Sequence, residues 1–196
     1  MNPVQGILLA AGTGRRYDPT GEHDKLLAPM ADGEPVLWHS ARALAEALPG
    51  VLAVVQPGQP ARVRVLERAG CRVIECAEAA AGMGEALAAA VRSTADRGAW
   101  VVALADMPWV PSDIVRQVAE RLGDGRALVA PVCHGRRGHP VGFGAGWYER
   151  LAALTGDQGA RALLADADVQ PIDCDDDGVL RDVDTPADLR LSRPSA

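Results

Sequence analysis

Residues 4–14 read VQGILLAAGTG, and the chain continues RRYDPTGEHDKLLAP to residue 29. The apolar run over 4–10 predicts a first, buried strand. It stops at a small-residue turn over 11–14, where glycine lets the backbone turn tightly and present N–H groups to an anion. Two arginines follow, Arg15 and Arg16, and Lys25 comes nine residues after the second. A buried strand that runs straight into such a turn is the opening of a parallel α/β sheet, and the rest of the chain repeats the pattern. Apolar runs over 51–56, 71–76, 100–105, 127–132 and 169–174 predict strands, and 138–144 a short strand-like piece. Alanine-rich amphipathic stretches over 35–48, 61–70, 82–98, 111–123, 145–154, 159–165 and 185–191 predict helices, with Pro35 suited to a first turn. The run over 100–105 is apolar throughout and is expected at the centre, covered on both faces. The expected fold is α/β: a single-domain, three-layer, mostly parallel Rossmann-like sheet over 1–196, with helices on both faces. In such sheets ligands bind beyond the carboxyl ends of the strands, so residues just after each strand are the functional candidates.

Composition narrows the function. The chain has 196 residues, is 48% hydrophobic and 23% charged, and carries a net charge of −6. This excludes nonspecific nucleic-acid or membrane-surface binding as the main role, but leaves room for an anionic small substrate held by a few local arginines. Cys71, Cys76, Cys133 and Cys174 form no C-x-x-C pair and are expected to be reduced, mostly buried thiols, in keeping with a cytoplasmic setting. MNPVQG is not expected to act as a signal peptide, no apolar run is long enough for a membrane span, and the final RPSA is expected to fray.

Three readings of the first loop follow from residues alone. A dinucleotide fingerprint G-x-G-x-x-G needs glycine where Tyr17 stands. A Walker loop needs G-x-x-x-x-G-K-[ST], which the residues around Lys25 do not supply. A plain surface turn with scattered cations does not explain why the turn sits on a buried strand. Two acidic positions stand out elsewhere. Asp106, in ALADMPWV, directly follows the central strand; the next helix begins near Pro111 or Ser112, too far for Asp106 to cap it, which favours a Mg²⁺ ligand. In LRDVDTPADL, Asp182 and Asp184 lie two apart and so face the same side of an extended segment; alternatively, Asp184 or Thr185 caps the short helix begun by Pro186. CDDDG, residues 174–178, reads as a solvated turn.

Taken in order, LAAGTGRR with DKLLAP, GMGEAL, ADMP, GRRGHPVGF, GDQGAR and DVDTPADL resemble the signatures of the nucleotidyltransferase family that includes the molybdenum cofactor cytidylyl- and guanylyltransferases. The resemblance runs from Ile7 to Leu189 and implies the nucleotide-diphospho-sugar transferase version of the fold. It implies that Leu9, Ala10, Ala11, Gly12, Thr13 and Gly14 wrap an NTP, with Arg16 on the β- and γ-phosphates and Lys25 on the α-phosphate. Gly82, Met83 and Gly84 would meet base and ribose through their backbone. Asp106, Asp184 and then Asp182 would hold Mg²⁺, and Arg16, Lys25 and Asp106 would be the catalytic set. Gly138, His139, Pro140 and Arg161 would line the acceptor side, with Gly156, Asp157, Gly159 and Ala160 in the same segments. Arg136 and Arg137 either attract the acceptor's phosphate or are solvated loop cations. The chain departs from the family pattern in several places. Eight residues separate Arg16 from Lys25, Asp18 replaces a glycine, Ala105 stands in the glycine position before Asp106, and Ala86 replaces a serine. The long gap predicts a loop that is mobile without ligand.

The function implied is Mg²⁺-dependent transfer of CMP from CTP to molybdopterin cofactor with release of pyrophosphate, LAAG, GHP and GDQGAR favouring CTP over GTP. A molybdoenzyme would be the downstream partner. The alternatives are a guanylyltransferase or another NTP transferase with a different phosphorylated acceptor, a non-catalytic cofactor-delivery protein, and an NAD(P)H-dependent oxidoreductase.

Overall fold

In the computed structural model, which describes residues 4–14, 16–18, 20, 22–165 and 167–190, the opening apolar run is strand β1, Val4–Leu9, buried from Gln5 to Leu9. It pairs in parallel with β2, Val51–Val55, on one side and with β4, Ala99–Leu104, on the other; β3, Arg72–Glu75, extends the sheet beyond β2. Helices α1 (Val36–Ala47), α2 (Pro60–Arg68) and α3 (Met83–Arg92) make the crossovers. Beyond β4, helix α4 (Ser112–Glu120) leads to β5, Leu128–Cys133. Two short strands then run antiparallel: β6, Arg136–Arg137, on β5, and β7, Val141–Gly144, inserted between β4 and β5. Helices α5 (Tyr148–Ala152) and α6 (Arg161–Ala165) precede β8, Gln170–Asp173, which adds in parallel to β5. The order is β3-β2-β1-β4-β7-β5-β6, with β8 also on β5.

The three layers follow from the period of two along the strands. Leu8 of β1 and Val101 of β4 pack with Val36, Leu66 and Val115 under α1, α2 and α4. Ile7, Leu9, Trp100 and Val102 pack on the other face with Leu87, Val91 and Leu151 from α3 and α5. Connections leave β1 towards β2 and, later, towards β4 on its opposite side. The crevice between the carboxyl ends of β1 and β4 is therefore the topological switch point, where such sheets bind ligands.

Several local expectations change. Pro35 is the N-cap of α1 and lies outside its first turn. The helix expected over 82–98 ends at Arg92, and just beyond it the hydroxyls of Ser93 and Thr94 donate to the carbonyls of Ala89 and Ala90. The helix expected over 145–154 divides into a 3-10 turn, Ala145–Trp147, and α5. The last helix is one 3-10 turn, Asp188–Arg190. CDDDG is not a solvated turn: the Asp176 carboxylate caps a 3-10 helix, Asp177–Leu180, whose Val179 is fully buried. All four cysteines are free thiols, three of them buried. Among the described residues no helix is long and apolar enough to cross a membrane. Arg15 and the RPSA tail lie outside the described residues.

Candidate active site

The turn after β1 is held from behind. Arg62, buried in the first turn of α2, donates through Nη1 to the carbonyls of Ala10 (2.7 Å) and Gly12 (2.9 Å). Gln56, which follows β2, donates to the Ala11 carbonyl at 2.7 Å. With those carbonyls tied to one side, the N–H groups of Gly12, Thr13 and Gly14 find no acceptor among the described residues, and Ala11, Gly12 and Thr13 line a cleft of about 400 Å³. Such unpaired N–H groups suit an anion.

Asp24 accepts the other edge of the Arg62 guanidinium as a bidentate pair at 2.6 and 2.9 Å. The same carboxylate caps the 3-10 turn Lys25–Leu27 through Leu26 N–H. Lys25 is thereby delivered into the cleft, where its Nζ donates to Asp106 Oδ2 at 2.7 Å and to the Val183 carbonyl at 3.0 Å, and lies 3.5 Å from Asp184 Oδ1. Within the eight-residue gap before it, Asp18 gathers its neighbours Thr20 and His23. That carboxylate accepts from Thr20 N–H, the Thr20 hydroxyl and His23 N–H, bonds that hold its pKa well below the usual carboxylate range. Where sequence predicts a mobile loop, Asp18 is thus an organising residue; Pro19 and Gly21 are outside the described residues.

Asp106 stands two residues beyond β4. Its turn is fixed by the buried Ser40 hydroxyl, which donates to the Ala105 carbonyl at 2.8 Å. Val183 N–H donates to the Asp106 carbonyl at 2.8 Å, so the extended segment through 182–184 is strung along Asp106. Carboxylate oxygens of Asp106, Asp182 and Asp184 consequently lie within 4.8 Å of one another. Burial, and then the neighbouring charges of Asp184 and Asp106, raise the pKa of Asp182. Arg16 pairs with Asp184. Asp188, which opens the last turn, reaches back to accept from Asp184 N–H, Thr185 N–H and the Thr185 hydroxyl, leaving the Asp184 carboxylate to the cluster. Three crowded carboxylates and no nitrogen or sulfur donor fit a hard divalent cation such as Mg²⁺ or Mn²⁺. Lys25 and Arg16 neutralise the cluster in the ligand-free protein.

The GMG segment forms the opposite wall, with Gly82 and Met83 lining the cleft and Met83 41% exposed. Its glycines are required by close packing: a Cβ at Gly84 would lie 2.5 Å from the Thr155 carbonyl oxygen, and one at Gly82 would lie 2.2 Å from that of Gly156. Gly84 N–H already donates to the Gly156 carbonyl at 2.8 Å, so it is not available to a base. This contact clamps GMG to GDQG and brings Asp157 into the cleft.

An adjoining pocket of about 710 Å³ is lined by Arg16, Arg137, His139, Arg161 and Asp182, with an apolar wall that includes Val102 and Phe143. His139 donates its backbone N–H to the Val179 carbonyl at 2.9 Å. Its Nδ1 is buried without a hydrogen-bond partner. Burial pushes its pKa down to about 4, outweighing the opposite pull of Asp106, so the ring is neutral at pH 7. Arg137 belongs to β6 and donates to the Leu164 carbonyl at 3.1 Å, so it is no loose loop cation; Arg136 is exposed and lines neither cleft.

Of the residues expected at the nucleotide, Leu9, Ala11, Gly12, Thr13, Arg16, Lys25, Gly82 and Met83 line the first cleft together with Asp106. Ala10, Gly14 and Gly84 stand behind it. Gly138, His139 and Arg161 line the second pocket, with the buried Pro140 behind. Sequence reading missed Asp24, Ser40, Gln56, Arg62 and Asp188. The signal for Arg62 was weak but present: it stands one turn before Leu66 on the same face of the helix, and an arginine on a core-facing stripe demands a partner.

The sequence profile of the MobA-like NTP transferase domain matches residues 6–172. Among curated proteins no sequence matches the chain. The fold is similar to that of Rv0371c from Mycobacterium tuberculosis H37Rv, with a TM-score of 0.79, 25% identity and 96% of each chain covered. It is also similar to a nucleotidyl transferase from Methanothermobacter thermautotroptrophicus, Mth528, with a TM-score of 0.80, 19% identity and 96% and 94% covered. A complex of Rv0371c with manganese is similar at a TM-score of 0.68, 23% identity and 89% of each chain.

Proposed function

The chain belongs to the MobA-like NTP transferase domain family and is a nucleotidyltransferase; we propose that it transfers CMP from CTP to the phosphate of molybdopterin cofactor, releasing pyrophosphate, with Mg²⁺. The observation that carries this reading is the meeting, at one switch point, of the unpaired N–H groups of 12–14, Lys25 and the three-carboxylate cluster.

In this reading Gly12 and Thr13 N–H groups and Arg16 take the β- and γ-phosphates, and Lys25 moves from Asp106 to an α-phosphoryl oxygen, where negative charge develops. Asp106 and Asp184, with Asp182 next, would hold Mg²⁺, which supplies Lewis acidity and binds the leaving pyrophosphate. The manganese complex of the related Rv0371c fold is in keeping with a divalent cation. Met83 and Gly82 wall the base side. Arg137 and Arg161 attract the acceptor's phosphate and leave it facing the α-phosphorus for in-line attack. Neutral His139 lines the acceptor side. The choice of CTP is supported by LAAG, GHP and GDQGAR. Hand-over to a molybdoenzyme and a cytoplasmic setting complete the reading, the latter supported by four free thiols.

The test is a thermal-shift screen with CTP, GTP, UTP, ATP and NADPH in Mg²⁺, followed by pyrophosphate release with molybdopterin cofactor. A ligand that binds only the native state raises its melting temperature by mass action. CTP is expected to give the largest shift and the only rapid release. A shift with GTP alone would move the protein to the guanylyl reading, and binding without turnover to a delivery role. A shift with NADPH alone would overturn the proposal.

A further inference from the structure

The side chain that joins the two halves of the nucleotide site is not one of the cations expected to touch phosphate. Arg62 is 4% exposed, and its guanidinium is spent on protein groups: two bonds to Asp24 and two to the carbonyls of Ala10 and Gly12. One edge thus fixes the turn that lines the cleft. The other fixes the carboxylate that caps the turn carrying Lys25. We propose that Arg62 is a positioning residue for nucleotidyl transfer, setting Lys25 against Asp106 through Asp24 while it orients the anion-binding turn at 10–14.

The proposal rests on the reading of Lys25 and the 10–14 turn as the nucleotide site, and it accounts for the long gap before Lys25. Eight residues separate Arg16 from Lys25, and within them Thr20 and His23 bond to Asp18 and, among the described residues, to nothing that places Lys25. The fork of an arginine can hold a carboxylate bidentately and two carbonyls at once, and a lysine cannot. Gly14 completes the arrangement, since its missing side chain leaves room for the Lys25 stem, 3.3 Å from where a Cβ would stand.

The test separates positioning from bulk stability by using Mn²⁺ alone as probe, without nucleotide. Lys25 competes with a cation for Asp106 and Asp184, so any change that loosens Lys25 should tighten Mn²⁺ binding. Arg62→Met and Asp24→Asn are each expected to tighten Mn²⁺ severalfold in calorimetry, and Arg62→Met is expected to add nothing in a Lys25→Met background. With CTP and acceptor, Asp24→Asn should lower kcat about tenfold with KM within threefold of wild type. Arg62→Met should change both, and Arg62→Lys should restore neither fully. A purely structural Arg62 would lower melting temperature and leave Mn²⁺ affinity unchanged, and additive effects of Arg62→Met and Lys25→Met would likewise overturn the proposal. If Arg62→Met does not fold, Asp24→Asn severs the same link and decides alone. If wild-type protein turns over no CTP, the cytidylyl reading fails, while the Mn²⁺ comparison still decides Arg62.

Discussion

Lys25 sits where a metal ion would be neutralised, and that position makes a quantitative prediction. Its Nζ is 2.7 Å from Asp106 and 3.5 Å from Asp184, in a side chain 10% exposed. A cation held between those carboxylates would lie about 4 Å from the ammonium. Two unit charges at that distance repel by about 1 kcal/mol in water, and a divalent ion doubles this to about 2 kcal/mol. The site is drier than water, which raises the figure; Lys25 can also swing aside, which lowers it. Lys25→Met keeps the stem and removes the charge, so it should tighten Mn²⁺ binding to the nucleotide-free protein on the order of thirtyfold, about 2 kcal/mol at a tenfold change per 1.4 kcal/mol. Calorimetry or the electron paramagnetic signal of free Mn²⁺ reads this directly. The same variant should gain more melting temperature from Mn²⁺ than wild type does, because Asp106 has lost its partner. A Kd within threefold of wild type would refute the reasoning, and so would weaker binding.

Asp106→Asn retains a hydrogen-bond acceptor for Lys25 while removing the charge. It should cut turnover by roughly two to three orders of magnitude with a melting temperature near wild type, a scale set by losing one preorganised electrostatic group; near-normal activity would dismiss Asp106 as a ligand. His139 has a pKa pushed down to about 4, so its stabilisation is present above its unfolded value near 6.5 and is lost as pH falls through 4. Urea denaturation between pH 7 and 4 should therefore show wild type losing about 3 kcal/mol more than His139→Gln. Gly84→Ala would place a Cβ 2.5 Å from the Thr155 carbonyl oxygen. A loss of about 1–3 kcal/mol of stability and weaker CTP binding are expected, and an unchanged denaturation midpoint would show that the GMG–GDQG contact is loose.

What could be read in the sequence has a common physical character. The central strands are apolar along their length because helices cover both faces, so β1, β2 and β4 announce themselves, and the residues just beyond their carboxyl ends follow by topology. Asp106 and the glycine turn were legible for that reason. The antiparallel insertion was not: β6 has two residues and no period to detect, and β7 is seen only as a short apolar piece between glycines. Nor were the supporting polar contacts. Asp188 and Asp184 both stand near a helix start, and only tertiary structure decides which carboxylate binds the Thr185 turn and which one joins the cluster. Arg62 lies 38 residues from Asp24 and about 50 from the turn it holds, separations at which no local pattern operates. The GMG glycines were read as a backbone surface for a base, yet both are explained by packing on the 155–157 turn.

The charge balance of the cluster implies that its two ligands depend on each other. Three carboxylates face two cations, Arg16 and Lys25, and those are the same side chains that the proposed reading gives to the triphosphate. A divalent ion arriving alone must displace or tolerate both cations. A triphosphate arriving alone must draw them off Asp106 and Asp184, leaving the carboxylates unpaired beside its own negative charge. When both arrive together, the cation replaces the arginine and lysine on the carboxylates and frees them for the phosphates, so each ligand removes the other's cost. By linkage, Mn²⁺ should tighten CTP by the factor by which CTP tightens Mn²⁺. Lys25→Met should shrink that mutual factor, since the ammonium is one of the groups the two ligands exchange. If Mn²⁺ and CTP bind independently in wild type, the two cations are not shared in this way.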